Sequence, residues 1–447
     1  MRKNILFGGI FTVAMLVFST AGFSTMHLTY NIGSESGYTY YNLDFGLVFE
    51  DSASTNWDIG FNGTTIIVNS GVSGPGSAQA QVVLSDFESL MTAPSDGYMS
   101  DDAIGNAIPT GSGNGWYEYL GPPTHKIVPM TGRTILVKTN SGNYSKVKIV
   151  SYYRNNPDLD QYTQFPPSEA SGIYTFMFFT QTDGSTNLDH QLEDIRVDNF
   201  DANQDNMAFF SFDEITNISY LDSATTNWDI AIKATTVLFN GGSSGPGTIA
   251  GQIVLDGFDN LSTPPSDGYE PDSPTGAIIP TGSGNGWYTY SGPPAHKIEV
   301  IPNRSFAFEK NGNEYYKLEF ISYYAGNPDL EEWTASPPPF PARQYTFRYE
   351  KFASEVGLFE ALEIEPLKVY PNPATHQDLV YVEFYADSPL AVISITDLKG
   401  KVVFNQQLNS ATGFQKLPLT LSKLNTGLYI VKVQNAENVF VNKFYID

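Results

Sequence analysis

The sequence predicts an all-β protein in which two homologous β domains stand in tandem ahead of a small C-terminal β-sandwich. Three observations predict it. The string IPTGSGNGWY occurs at 108–117 and again, letter for letter, at 279–288, an offset of 171 residues. Aromatic residues make up 14% of the chain, dominated by 30 Phe and 27 Tyr, a mix that favours pleated, half-buried surfaces. The 39 Gly and 28 Pro cut the chain into short apolar runs such as TTIIVNS and KVKIVSYY, in the manner of strands joined by turns.

At the N-terminus, Arg2 and Lys3 precede an uncharged apolar stretch and the small residues Ser19-Thr20-Ala21. That order predicts a secretory signal over 1–21, because the apolar core falls short of a bilayer span and no stop-transfer charges follow it. No later segment is apolar enough to cross a membrane. Export normally permits disulfides, yet the chain has no Cys, so its domains must be stable from their cores alone and no lipidated Cys can anchor it. The formal charge of −24 repels phosphates, which excludes nucleic acid and anionic membranes as partners and keeps an exported protein soluble.

At 447 residues the chain exceeds a single core and calls for about two to four domains. Shifted by 171 residues, Trp57 meets Trp228 in TNWDI, SGPG at 73–76 meets 244–247, and PSDGY at 94–98 meets 265–269. NPDL at 156–159 likewise meets 327–330, and the match runs without a gap from about Tyr38 to Phe178. A unit this long is a complete domain with its own core, not a solenoid repeat. The expected organisation is domain one over 25–185, domain two over 186–352 and a linker over 353–366. Residues 367–447, where AVISITDLKGKVVF and GLYIVKV alternate around a tight turn, form the third domain.

That C-terminal stretch, with Val369-Tyr370-Pro371-Asn372-Pro373, ITDLKGKVV and LNTGLYIVKV, resembles the type A sorting domain of type IX secretion cargo. The resemblance implies passage through the outer membrane of a Gram-negative bacterium, with the type IX machinery as partner and the cargo either secreted or held on the cell surface. It departs from the family at its end, where Phe-Tyr-Ile-Asp follows Lys443. The two long modules resemble the HmuY family of secreted haem-binding proteins. The features that match are an aromatic leading strand (YTYYNLDF, AFFSFDE), NWDI, the PSDGY turn, Gly-Trp-Tyr followed by Gly-Pro-Pro, YSKVKIVSYY or YYKLEFISYY, and a closing YTF. This implies an all-β domain whose ligand, haem or another flat hydrophobic molecule, sits among projecting loops.

The family's pair of axial histidines has no counterpart here, since 99–115 and 270–286 hold no His. The nearby candidates are His125 and His296, which follow the Pro pairs in GPPTHKI and GPPAHKI. An imidazole beside aromatic side chains can ligate iron or stack on a porphyrin edge; equally, it can be a strand-end polar residue facing water. Trp116, Trp287, Tyr117 and Tyr288 either pack beneath the glycine-rich loop or line a ligand cleft. Met99 and Met130 are possible thioether ligands in module one only, because Glu270 and Ile301 replace them in module two. The TGSGNG loop supplies residues suited to positive φ; a phosphate cradle would need a following helix and a Lys.

Catalysis has no sequence support: there is no Cys and no HExxH. Asp58, Asp96 and Asp158, with Asp229, Asp267 and Asp329, stand in turn and strand-end contexts. Asp201-Ala-Asn203-Gln-Asp205 resembles half of a calcium loop, but Asn206 and Phe212 occupy the positions that need Gly and Glu. The sequence thus leaves two readings, a secreted or surface ligand-binding protein and a structural or adhesive surface protein that reuses the fold without a pocket.

Overall fold

The computed structural model describes residues 25–190, 194–352 and most of 367–446, apart from 376–378, 387–388, 398–400, 410–412, 420–423 and 436–437. The expected signal at 1–21 and linker at 353–366 lie outside the described residues. The chain divides into a unit ending at Ala353 and a unit beginning at Ser354. Among the described residues all regular structure is strand, apart from three short 3-10 turns.

Copy one contains β1 (Met26–Gly33), β2 (Thr39–Asn42), β3 (Leu47–Phe49), β4 (Ile59–Asn62), β5 (Thr65–Val68) and β6 (Gln79–Val83). It continues with β7 (Tyr117–Tyr119), β8 (Ile127–Pro129), β9 (Thr134–Lys138), β10 (Tyr144–Tyr153) and β11 (Ser171–Gln181). Copy two repeats this order: β12 (Ile195–Asp201), β13 (Ala208–Ser211), β14 (Thr216–Ile218), β15 (Ile230–Lys233), β16 (Thr236–Phe239) and β17 (Ala250–Val254). Then follow β18 (Glu270–Pro271), β19 (Tyr288–Tyr290), β20 (Ile298–Val300), β21 (Ser305–Lys310), β22 (Glu314–Tyr324) and β23 (Ala342–Lys351). Each copy folds a four-stranded sheet (β3-β2-β4-β5 or β14-β13-β15-β16) and a projecting two-stranded hairpin (β7-β8 or β19-β20).

The long strands of both copies join one 11-stranded sheet, in the order β18-β17-β21-β22-β23-β12-β1-β11-β10-β9-β6. The seam is a parallel pair, β1 against β12, with Leu28 opposite Val197 and Thr29 opposite Asp198. The two strands are equivalent: Asn31 and Asn199 both adopt positive φ, 61° and 58°, and each marks a bulge in its strand. Asn31 therefore answers to Asn199, three residues short of the 171-residue offset. The repeat thus extends to the first strand of each copy, and the shift explains why a gapless comparison starts only near Tyr38.

Residues paired across strands point to the same face of a sheet. On one face of the seam, Phe176 and Phe178 pack with Tyr41 and Phe61 in the core of copy one. On the other face, Leu28, Met177 and Phe179 of copy one belong to the same buried cluster as Val197, Phe210, Phe347 and Tyr349 of copy two. The four-stranded sheets therefore cover opposite faces of the long sheet, and the back of copy one helps to form the core of copy two. The expected boundary at 185/186 falls between β11 and β12, and both the sheet and the apolar cluster continue across it.

In the NWDI strand, Asp58 is buried and accepts hydrogen bonds from the backbone N–H of Leu43 (2.9 Å) and Asn140 (2.8 Å). Burial pushes its pKa up to about 6. Its counterpart Asp229 accepts from Phe212 N (2.7 Å) and meets Lys310 Nζ at 2.7 Å, a cation that copy one replaces with Thr139.

The C-terminal unit is built from β24 (Leu367–Tyr370), β25 (Val380–Ala386), β26 (Leu390–Asp397), β27 (Val402–Asn409), β28 (Gly413–Leu419), β29 (Gly427–Asn435) and β30 (Asn438–Ile446). They form a three-stranded sheet, β24-β25-β28, and a four-stranded sheet, β27-β26-β29-β30. Val382, Phe384, Ile393, Ile395, Val431 and Val433 fill the core between them. The Phe-Tyr-Ile ending fits this alternation, with Phe444 and Ile446 buried and Tyr445 exposed.

Two predictions follow from this packing. Leu28 is 1% exposed, so Leu28→Ala should cost about 2–5 kcal/mol and lower the melting of both copies together, because one cluster serves both. Calorimetry should show one shifted transition for the paired copies; a copy-two transition unmoved by the change would contradict a shared core. Asp58 holds its proton more tightly folded than unfolded, so its contribution rises as pH falls from about 6 toward about 4 and is lost as pH climbs through its folded pKa. Thr139→Lys, which places a cation where Lys310 serves copy two, should lower the Asp58 pKa in a carboxyl NMR titration and flatten that pH dependence.

Candidate functional site

The repeated decapeptide builds the base of the projecting hairpin. Gly111 and Gly113 lie at φ 93° and 80°, conformations that L-residues avoid, and a Cβ on Gly115 would sit 2.0 Å from the Pro109 carbonyl oxygen. The Arg133 guanidinium closes the loop by donating to the carbonyls of Gly113 (3.0 Å), Asn114 (2.8 Å) and Gly115 (2.7 Å). Arg304 does the same for Gly284, Asn285 and Gly286 in copy two. Sequence reasoning passed over these arginines, although they stand 171 residues apart like the rest of the repeat.

The loop turns the tryptophans inward. Trp116 and Trp287 are 3% and 1% exposed, and their Nε1 atoms donate to Thr64 O and Thr235 O, both at 3.1 Å. Trp116 packs on Tyr117, Tyr152 and Tyr174, and Tyr117 and Tyr288 are themselves buried. These four side chains are core residues here. They hold the hairpin to the body of each copy.

His125 and His296 sit instead at the exposed hairpin tips. His125 has φ 50°, its N–H donates to Gly121 O (2.7 Å), and its Nδ1 is bonded to the Tyr119 phenol. His296 repeats each feature, with φ 50°, Gly292 O at 2.8 Å and the Tyr290 phenol. The hairpin is tied down by Ile127 N–H to Tyr153 Oη (2.9 Å) and by Lys126 Nζ to Leu159 O (2.9 Å), with the same pair of ties at Ile298 and Lys297. The structure thus brings each histidine to the tyrosine six residues before it, and the ring contacts of the tryptophan lie elsewhere. With the hydrogen on Nδ1, the phenol oxygen accepts it and the lone pair is left on Nε2; this is how a supporting group prepares an imidazole to bind a metal. The signal for Tyr119 and Tyr290 was present in the sequence, since both copies keep Tyr at that spacing.

The remaining candidates do not join these tips. Met99 is 53% exposed and its backbone bridges Ala80, while Met130 donates its N–H to Trp116 O (2.9 Å). Asp201 accepts from Asn203 N (2.9 Å) and Gln344 Nε2 (2.6 Å), Phe212 is buried, and no three His, Asp or Glu among the described residues are grouped to hold a metal ion. Asp158 caps a short 3-10 turn through Asp160 N (3.0 Å).

Two histidines that the sequence did not single out have structural partners. His27 stacks on Phe178 with ring centroids 4.6 Å apart and meets Asp198 Oδ2 at 3.1 Å across the seam. Desolvation pulls the Asp198 carboxyl up, but Arg196 and His27 outweigh it and hold the group below its ordinary value. His190 meets Lys146 Nζ at 2.8 Å, and Lys146 also donates to the carbonyls of Phe87 and Leu90, both at 2.9 Å. Burial pushes the Lys146 pKa down to about 8 and that of His190 down as well. Lys146 is fully covered, so it pins the 87–90 loop and meets no solute.

Comparison with known proteins locates two families. Residues 34–166 match the HmuY protein model, and residues 368–447 match the secretion system C-terminal sorting domain. No curated protein matches the chain. Among solved structures, an apo HmuY analogue from Tannerella forsythia is 14% identical, covers 36% of this chain and 96% of its own, with a TM-score of 0.24. A Bacteroides fragilis protein, provisionally classed as a lipoprotein, is 13% identical, covering 32% of this chain and 82% of its own at a TM-score of 0.20. PorZ, a surface component of the type IX secretion system of Porphyromonas gingivalis, is 11% identical and spans 90% of this chain and 52% of its own at 0.17. Among the described residues no helix is long and apolar enough to cross a membrane. The sorting domain marks the chain as cargo of the type IX secretion machinery, delivered to the cell surface. The chain therefore joins an HmuY-family module at residues 34–166 to a secretion-system C-terminal sorting domain at residues 368–447.

Proposed function

We propose that this is an exported, non-catalytic binding protein of the cell surface, in which both repeat copies are HmuY-like modules and the hairpin tips make first contact with the ligand. The observation that carries this reading is the Tyr119–His125 pair and its duplicate Tyr290–His296, each on an exposed tip with the imidazole Nδ1 held by the phenol. Haem or another flat hydrophobic molecule is the ligand class that the family suggests. One imidazole per tip gives a single axial ligand, so haem association is expected to be weak and to lack a bis-histidine spectrum. The structural or adhesive reading draws support from the burial of Trp116, Trp287, Tyr117 and Tyr288, which leaves the tips without an exposed aromatic wall from those residues.

A haemin titration followed in the Soret region separates the two. Binding should be lost in the His125→Ala/His296→Ala double variant and weakened about tenfold in Tyr119→Phe/Tyr290→Phe, because the phenol orients the imidazole. A tight six-coordinate complex that survives the histidine substitutions would remove the tips from the site, and no spectral change in any protein would favour the adhesive reading. Export is tested separately: deleting 367–447 should leave the remainder folded but retained in the periplasm of a type IX-competent cell. Normal surface display of the truncated protein would overturn the sorting role.

A further inference from the structure

We propose that the cleft between the two copies is a second binding site, for a neutral, hydroxyl-rich ligand of the oligosaccharide class. The cleft measures about 410 Å³, within the range of about 300–1,000 Å³ typical of small-molecule sites. One wall comes from the 155–169 segment of copy one and the other from the β13–β14 region of copy two, so the site exists only because the copies share a sheet.

Its framework is a hydrogen-bonded set of amides. Asn217 Nδ2 donates to the carbonyls of Asn155 (3.3 Å) and Asn156 (3.1 Å), Asn156 Nδ2 returns a bond to Asn217 Oδ1 (2.8 Å), and the Tyr30 phenol accepts from Asn217 N (3.0 Å). Around this framework stand the carboxylates of Asp158, Glu169 and Asp201, and the rings of Tyr162, Phe209 and Tyr220. Among the described residues no Lys, Arg or His lines the cleft. Three carboxylates without a cation repel an anion, including the propionates of haem, and they are not grouped to chelate a metal ion. Carboxylate and amide oxygens that accept from hydroxyls, beside aromatic faces that pack against C–H surfaces, are the chemistry that recognises a sugar.

The repeat itself supplies a comparison. The Tyr162 phenol donates to both carboxylate oxygens of Glu169, at 3.0 and 2.9 Å. At the matching positions copy two has Trp333 and Phe340, whose rings meet edge to face at 5.9 Å. The same loop closes with an apolar contact in copy two and with an acidic, hydrogen-bonding pair in copy one, where it faces the cleft.

The test uses the full mature chain and isothermal calorimetry with maltotriose, cellotriose, mannotriose and triacetylchitotriose. At least one is expected to bind at millimolar concentration or below, and Tyr220→Ala and Glu169→Gln should each weaken it at least about fivefold, leaving the melting curve unchanged. Absence of binding by all four sugars, or binding indifferent to both substitutions, would overturn the site. The haemin response of the tips should not change in either variant. Sugar binding by the unsubstituted chain that the two substitutions weaken, in a chain that shows no haemin response, would count against the tips alone.

Discussion

The parallel pairing of β1 with β12 is the constraint on which the first unit depends. It puts Leu28 beside Val197 on one face and Thr29 beside Asp198 on the other, and because side chains alternate along a strand, that single register fixes which residues of copy one enter the core of copy two. A slip of one residue would turn Leu28 and Val197 toward opposite faces. The His27–Asp198–Arg196 group on the other face reinforces the register: a buried carboxylate needs its partners, and they come from both copies.

Within each copy, aromatic packing fixes the body and glycine geometry fixes what projects from it. Phe61, Tyr174 and Phe176 pack as tilted rings through the first core, while Phe210, Phe212, Phe347 and Tyr349 pack tilted or edge to face in the second. The decapeptide then uses positive-φ glycines and an arginine clamp to turn Trp116 inward and send the β7–β8 hairpin outward. The repeat of the string is therefore a repeat of a mechanical junction. Its aromatic residues are anchors, and the exposed His125 and His296 stand a few residues later, at the hairpin tips.

The duplication has divided roles between equivalent positions. Asp58 is buried without a cation, whereas Asp229 has Lys310; Lys146 meets His190, whereas Lys317 meets Glu350 at 2.9 Å; Tyr162 and Glu169 are matched by Trp333 and Phe340. In each case the backbone position persists and the partner differs. The fold is retained while the local electrostatics of the two copies have diverged.

The sequence by itself determined the strand content, the repeat, the sorting domain and the projecting glycine-rich junction, because alternation, turn residues and an identical decapeptide are local signals. It also contained the Tyr–His spacing and the paired arginines, but nothing in a one-dimensional pattern distinguishes a side chain folded back on its neighbour from one facing water. Only the tertiary structure decided that Trp116, Trp287, Tyr117 and Tyr288 are core while His125 and His296 are exposed, since burial depends on which face of a strand is covered. It alone decided that the copies share a sheet, because the three-residue shift before Tyr38 hides the equivalence of β1 and β12, and because strand pairing between residues some 170 positions apart is set by long-range contact. The cleft between Asn155 and Asn217 follows from that pairing and has no signature in either segment alone.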